Sequence, residues 1–315
     1  MRYAFGFITL FVMLSIVVPA SAQVIPGTGT RVWFDNFEDE EWEYIANHPK
    51  SSHEQDNNVR LPGGMSKNKL WAESSKRGHP DYIRRIETPG DGIEGSKGAM
   101  IMMTLESLIP NRRSNELGQD DFICRVPGSY PASSYPSATV RVYLPEFDKW
   151  EKNSAAATFG FRTTVTGSRP GKKGGGFFSF GGGTDREQSW PGIFIEHRSP
   201  ADTKGLEKDE AQWVIRGSNS GDFRGPMITK NGWWTLGMSF TPDGKCHYYV
   251  SEGVDNLTQA DRIASTFPYS YKVEQVSGMF FNIFNKDDGK SWSTPWVIDD
   301  PGFYIGRGNL ASRPR

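Results

Sequence analysis

Only two cysteines, Cys124 and Cys246, and five histidines occur in 315 residues. So few soft ligands exclude a cysteine-rich framework, and the two thiols stand too far apart in sequence for a zinc knuckle. Neither sign of charge prevails, since 36 Lys and Arg face 37 Asp and Glu for a net charge of −1. That balance gives no argument for nucleic acid or an anionic membrane as a partner. Past the N-terminus there is no long apolar run, so no membrane span is expected. Also missing are His-Glu-x-x-His, Gly-x-Ser-x-Gly, a phosphate loop and a dinucleotide glycine fingerprint.

What is present favours strands and turns: 35 Gly, 20 Pro, 20 Phe, 11 Tyr and 10 Trp. The clearest stretch is residues 231–253. Trp234, Leu236, Met238 and Phe240 alternate with Thr235, Gly237, Ser239 and Thr241. Pro242-Asp243-Gly244 turns the chain, and Cys246, Tyr248 and Val250 return opposite His247, Tyr249 and Ser251. This is the pattern of an antiparallel hairpin packed on one face, and it predicts the centre of a sheet.

At the N-terminus, Arg2 precedes an apolar run from Phe5 to Val18 that ends in Pro19-Ala20-Ser21-Ala22. A basic start, an apolar middle and a small-x-small end predict a secretory signal over residues 1–22 and an exported protein. Residues 23–30 read as a short tether, 31–306 as one domain and 307–315 as a tail. In an exported chain the even pair Cys124 and Cys246 predicts one disulfide, against the alternative of two buried thiols. Closing a loop of about 120 residues would stabilise the fold by on the order of 4–5 kcal/mol in the chain-entropy model.

Further strands are expected at 98–104, 138–144, 158–165, 192–198, 212–216, 276–285 and 302–306. Residues 107–136 read as loop, the glycine-rich 167–183 as a long hairpin loop, and 256–264 as a short polar helix. Roughly ten short strands with Gly, Pro and Asp turns predict an all-β chain, a two-sheet antiparallel β-sandwich.

Four features resemble the concanavalin A-like lectin and glucanase superfamily of jelly rolls. They are Trp33-Phe34-Asp35-Asn36-Phe37-Glu38, the hairpin with its Asp-Gly turn, the Tyr-Tyr-Val strand, and Ile298-Asp299-Asp300 before Phe303-Tyr304-Ile305. The resemblance implies fold more than function. It implies neighbouring first and last strands, and with them a structural calcium ion held by Asp35 or Glu38 with Asp299 or Asp300; a solvated acidic edge is the alternative.

Candidate binding residues form a row of arginines: Arg141, Arg162, Arg198 and Arg216 lie in different strands, opposite the apolar set where alternation is clear. With Tyr143 and Trp213 they would line one face suited to the carboxylates or sulfates of an acidic polysaccharide. Candidate catalytic groups are Glu196, His247 and Tyr249, the last two as bases for β-elimination. Glycoside hydrolysis needs two facing carboxyls, and Glu196 has no partner at i+2 or i+4. Trp190, Trp213, Trp292 and Trp296 fall near loops or strand ends, where rings can stack on sugars. The reading is an exported polysaccharide-binding sandwich. A lyase or hydrolase, or a surface protein making protein contacts, are its alternatives.

Overall fold

The hairpin forms in the expected register, with β15 (Gly232–Phe240) and β16 (Cys246–Glu252) paired from Trp234 opposite Glu252 to Phe240 opposite Cys246. Its turn is closed by the Gly244 amide donating to the Thr241 carbonyl at 2.8 Å, with Gly244 at φ 87°. Trp234, Leu236, Met238 and Phe240 enter the core as their alternation requires. The opposite face is buried as well: Thr235 and Ser239 are almost inaccessible, and Pro26 and Leu257 lie over Gly237. Part of the stretch expected as a tether is therefore seated on this sheet.

The computed structural model describes residues 24–105, 118–152, 156–170, 184–201, 203–217, 221–286 and 288–306. Residues 1–23 and 307–315, and 171–183 of the expected glycine-rich loop, lie outside them, while 167–170 of that stretch are strand rather than loop.

The first sheet has eight strands. Its order is β17 (Arg262–Thr266), β16, β15, β9 (Ser137–Leu144), β19 (Trp296–Ile305), β6 (Ala99–Met103) and β5 (Tyr82–Ile86), with β1 (Thr30–Phe34) also on β19. The hairpin thus lies toward one side, and β9 holds the middle. The second sheet has eleven strands. Its order is β14 (Phe223–Ile228), β13 (Glu210–Arg216), β12 (Gly192–Arg198), β10 (Ala156–Pro170), β18 (Lys272–Asn285), β7 (Gly118–Cys124), β4 (Trp71–Glu73), β3 (Met65–Ser66) and β2 (Tyr44–Ile45). β11 (Thr184–Ser189) pairs with β10, and β8 (Tyr130–Pro131) with β18. Every pairing is antiparallel, and the product is the expected two-sheet antiparallel β-sandwich.

Inward side chains of the two sheets interleave in one core. Phe159, Phe161, Phe281 and Phe122 come from the second sheet, and Leu236, Phe240, Trp296 and Phe303 from the first. Trp71 stacks on Phe122 with ring centres 4.8 Å apart, and Trp150 meets Trp296 edge-on at 5.0 Å.

Three expectations are corrected. No disulfide joins the cysteines: Cys124 on β7 and Cys246 on β16 are buried free thiols in the core of different sheets. Burial raises both thiol pKa values, as for inert core cysteines. Residues 256–264 make only a 3-10 turn, Gln259–Asp261, capped by Thr258 and Asp261, before Arg262 enters β17. The loop expected at 107–136 contains β7, which occupies the interior of the second sheet.

Candidate functional site

On the second sheet, the face turned away from the core is built from two rows of residues crossing five strands. One row runs Arg216, Gly192, Arg162, Phe280 and Ile123; the next runs Val214, Phe194, Gly160, Asn282 and Asp121. The glycines make the arrangement possible. A Cβ on Gly192 would stand 2.7 Å from Cγ of Arg162, and one on Gly160 would stand 2.7 Å from the Phe194 ring. Without them the arginine stem and the aromatic ring could not lie flat on the sheet.

A cavity of about 350 Å³ opens over these rows, lined by Arg77, Asp121, Arg162, Trp190, Arg216 and Phe280 among others. Arg162 donates from Nη2 and Nε to the Trp190 carbonyl, at 2.6 and 2.9 Å, and from Nη1 to Oδ1 of Asn282 at 3.4 Å. Phe194 and Phe280 flank its guanidinium at 5.4 Å each. Among the described residues no carboxylate is in ion-pair contact with Arg162. Burial lowers its pKa to about 10, which still leaves it charged at neutral pH. Arg216 lies over the Phe194 ring at 4.2 Å and pairs with Asp222 at 3.0 Å.

The far wall is the tight turn Ser74–Gly78, which carries Lys76 and Arg77. Glu54 holds both cations, Arg77 at 2.9 Å and Lys76 at 3.4 Å. Asp121 is the only carboxylate lining the cavity among the described residues. Its Oδ1 accepts from Nδ2 of Asn282 at 2.6 Å and from Nε2 of Gln119 at 2.8 Å, and its Oδ2 lies 3.9 Å from Arg77. Burial raises its pKa, against the pull of Arg77 and Arg162. The rim is Trp190, 38% exposed, with the Lys76 ammonium 6.0 Å from its ring.

Of the expected arginines, Arg162 and Arg216 come together here. Arg198 shares their face but is engaged by Glu196 at 3.0 Å, and Glu196 also pairs with Arg224 at 3.4 Å. Arg141 and Tyr143 lie on β9 of the other sheet; Arg141 reaches the Val254 carbonyl at 3.1 Å and Asp300 at 3.6 Å. Trp213 and Trp296 are fully buried, and Trp213 packs edge-on against Trp234. Trp292 remains 43% exposed. His247 and Tyr249, on β16, are likewise far in topology from the cleft. His247 bridges Thr241 at 2.9 Å and Ser265 at 2.7 Å, and burial lowers its pKa to about 4.

Asp121, Asn282, Gln119, Arg77 and Lys76 were not anticipated as site residues. The tyrosine beside the cleft is another: the Tyr269 hydroxyl is 3.5 Å from the Trp190 carbonyl that Arg162 also uses. Tyr269 sits at φ 52°, a strained backbone for a bulky residue.

β1 and β19 are indeed neighbours, yet Asp35 does not fit a calcium ligand. Its Oδ2 accepts from the indoles of Trp71 at 2.7 Å and Trp42 at 3.0 Å and from Asn68 at 2.9 Å, while Oδ1 accepts from the Phe37 amide at 3.2 Å. Glu38 accepts from the Lys97 and Gly98 amides, and Asp299 from Ser96 and the Asp300 amide. Among the described residues no three acidic, histidine or cysteine side chains are grouped to hold a metal ion.

No protein-family model and no curated protein sequence matches the chain. Among solved structures it is similar to a carbohydrate esterase from a Shiga toxin-encoding bacteriophage (9% identity, TM-score 0.45, 88% of this chain and 99% of that one). It is also similar to an endo-β-1,4-glucuronan lyase from the fungus Trichoderma reesei (12%, TM-score 0.38, 87% and 95%). A third is a β-glucanase catalytic domain from Podospora anserina (13%, TM-score 0.40, 90% and 98%). At such identities and TM-scores these likenesses say nothing of this chain's chemistry.

Proposed function

We propose that this chain is an exported protein that binds an acidic polysaccharide in the cleft over β10, β12 and β18. The observation behind this reading is Arg162, a nearly buried guanidinium with no carboxylate in contact, set among Arg216, Arg77 and Lys76. Among the described residues four cations stand against three carboxylates, Asp121, Glu54 and Asp222, a local excess of one positive charge whose unpaired member is Arg162. The Nη N–H groups of Arg162 that Trp190 and Asn282 leave unused suit a uronate carboxylate or a sulfate, and Trp190 offers a ring to the adjoining sugar face. The basic, apolar and small-residue pattern of residues 1–22 supports export.

The test is calorimetric titration with polyglucuronate, polygalacturonate and a neutral glucan at two salt concentrations. Acidic chains should bind more tightly, and added salt should weaken them. Arg162→Ala or Arg216→Ala should lower affinity by about 1–3 kcal/mol, the range for hydrogen bonds to charged groups. Equal binding of neutral and acidic chains, indifferent to both substitutions, would reject the reading.

Tyr269 favours a second reading, a lyase. As a phenolate, Tyr269 beside an arginine that neutralises a uronate carboxylate is placed to take the proton α to that carboxylate. The C–H electron pair forms the new C=C bond as the glycosidic C–O bond breaks and its oxygen leaves. Hydrolysis has less support, because among the described residues the cleft is lined by one carboxyl where two are needed. Incubation with polyglucuronate should then generate the ultraviolet absorbance of a new conjugated double bond, and Tyr269→Phe should abolish it while sparing affinity. No absorbance with any polyuronate leaves the binding protein.

A further inference from the structure

Tyr143, which sequence reasoning assigned to the arginine row, instead helps to line a separate groove of about 590 Å³ on the outer side of the first sheet. Tyr143 and Trp233, opposite each other on β9 and β15, have ring centres 5.5 Å apart at an interplanar angle of 65°. The Trp233 indole is fixed by donating to the Pro89 carbonyl at 2.7 Å and is only 6% exposed, so it forms the floor. Tyr143 is half-buried, and its hydroxyl has no hydrogen-bond partner among the described residues. Gly232 and Gly253 border the same groove, and a Cβ on either would meet nothing within 4 Å.

The charge of this groove is the reverse of the cleft's. Asp91, Glu146 and Glu252 line it against one cation, Lys230, which pairs with Glu252 at 2.6 Å. A polyanion would be repelled here. Exposed carboxylates beside an aromatic pair suit a ligand that is uncharged, rich in hydroxyl donors, and apolar on one ring face. The Lys230–Glu252 pair is solvated and therefore weakly held, so its carboxylate can exchange to a ligand hydroxyl at little cost.

We infer that this groove is a second glycan site, specific for neutral sugars, on the sheet opposite the anion-binding cleft. Tyr143 would stack on the sugar ring, and Glu146 and Glu252 would accept from its hydroxyls. A protein with both sites could hold two chemically different polysaccharides at once. The inference does not depend on the cleft's own ligand.

The experiment titrates the full chain with cellohexaose and laminarihexaose, alone and with saturating polyglucuronate. A neutral hexasaccharide should bind whether or not the polyuronate is present. Tyr143→Ala and Glu252→Ala should each weaken it by about tenfold, the scale expected for a stacking ring or a charge-assisted hydrogen bond. Arg162→Ala should leave it unchanged. Tyr143→Ala must retain the wild-type melting temperature to within a few degrees; if it does not, Glu252→Ala, an exposed position, decides alone. Absence of neutral-sugar binding at millimolar concentrations, insensitivity to Glu252→Ala, or loss with Arg162→Ala would overturn the inference. Failure of polyuronate binding with these results intact would reject only the cleft.

Discussion

Asp120 and Asp121 are neighbours on β7 and serve opposite sides of the sheet. Asp120 faces inward, where Lys50 contacts it and Thr104 donates to it at 2.7 Å. Asp121 faces the cleft, held by Asn282 and Gln119 beside Arg77. One strand thus carries a structural and a site carboxylate in succession, and burial raises the pKa of both. The alternation of a strand separates the two roles by a single residue.

Asp121→Asn separates binding from catalysis. Both side-chain hydrogen bonds to Asp121 reach Oδ1, so an amide oxygen can keep them while the charge near Arg77 disappears. If the cleft only binds, polyuronate affinity should rise severalfold at low salt, about 1 kcal/mol by screened Coulomb attraction. If the cleft is a lyase in which Asp121 takes part, turnover should fall while affinity rises. Calorimetry and the double-bond absorbance read the two effects independently.

Asp35→Ala removes the acceptor for four N–H donors, two of them buried indoles. Leaving them unpaired should destabilise the fold by about 3–5 kcal/mol in urea unfolding. The loss should be the same with calcium or with a chelator, because these donors already fill the carboxylate. A loss seen only with calcium present would show that Asp35 reaches a metal after all.

The hairpin was legible because a core on one face imposes period two, and the 231–253 stretch keeps it. β7 was not legible. Gly118-Gln-Asp-Asp-Phe-Ile-Cys puts polar groups on both faces, and what makes Asp120 tolerable inside is Lys50, seventy residues away. Alternation also placed Arg141 correctly as opposite the apolar set, yet it cannot say which of two sheets a strand joins. Arg141 and Arg162 therefore point out of opposite sides of the sandwich. Trp213 could have been recognised: it shares parity with Ala211 and Ile215, and all three are core. The cysteine pairing failed because an even count says nothing of geometry.

Asp299 gives stability a pH dependence that runs from its unfolded value of about 4 up to about 7. Burial, with the neighbouring charges of Asp300 and Glu38, raises its pKa to about 7. A carboxyl that binds its proton more tightly when folded stabilises the fold below its unfolded pKa, and that contribution is lost as pH rises through 7. Glu151, raised to about 7 by burial, acts in the same direction. The lowered pKa values of His79 and His247 act oppositely, but only below their unfolded value. From about pH 6.5, where the histidines no longer contribute, the melting temperature should therefore fall through pH 7 and level off by about pH 8. Asp299→Asn should flatten the slope and recover on the order of 2 kcal/mol at pH 9. An unchanged slope would show that Asp299 is ionised throughout.

Gly192→Ala tests whether the backbone really makes room for Arg162. The added Cβ would approach the Arg162 stem at 2.7 Å, the Phe161 carbonyl at 2.8 Å and the Phe194 ring at 3.1 Å. The carbonyl belongs to the paired strand and cannot retreat, whereas the arginine stem can. The expected response is a displaced guanidinium that loses its two hydrogen bonds to the Trp190 carbonyl. Polyuronate affinity should fall about as far as in Arg162→Ala, with stability lowered by about 1–3 kcal/mol from overpacking. Neutral-hexasaccharide binding on the other sheet should not change. If polyuronate affinity survives Gly192→Ala in folded protein, the position of Arg162 over the sheet is not what the ligand reads.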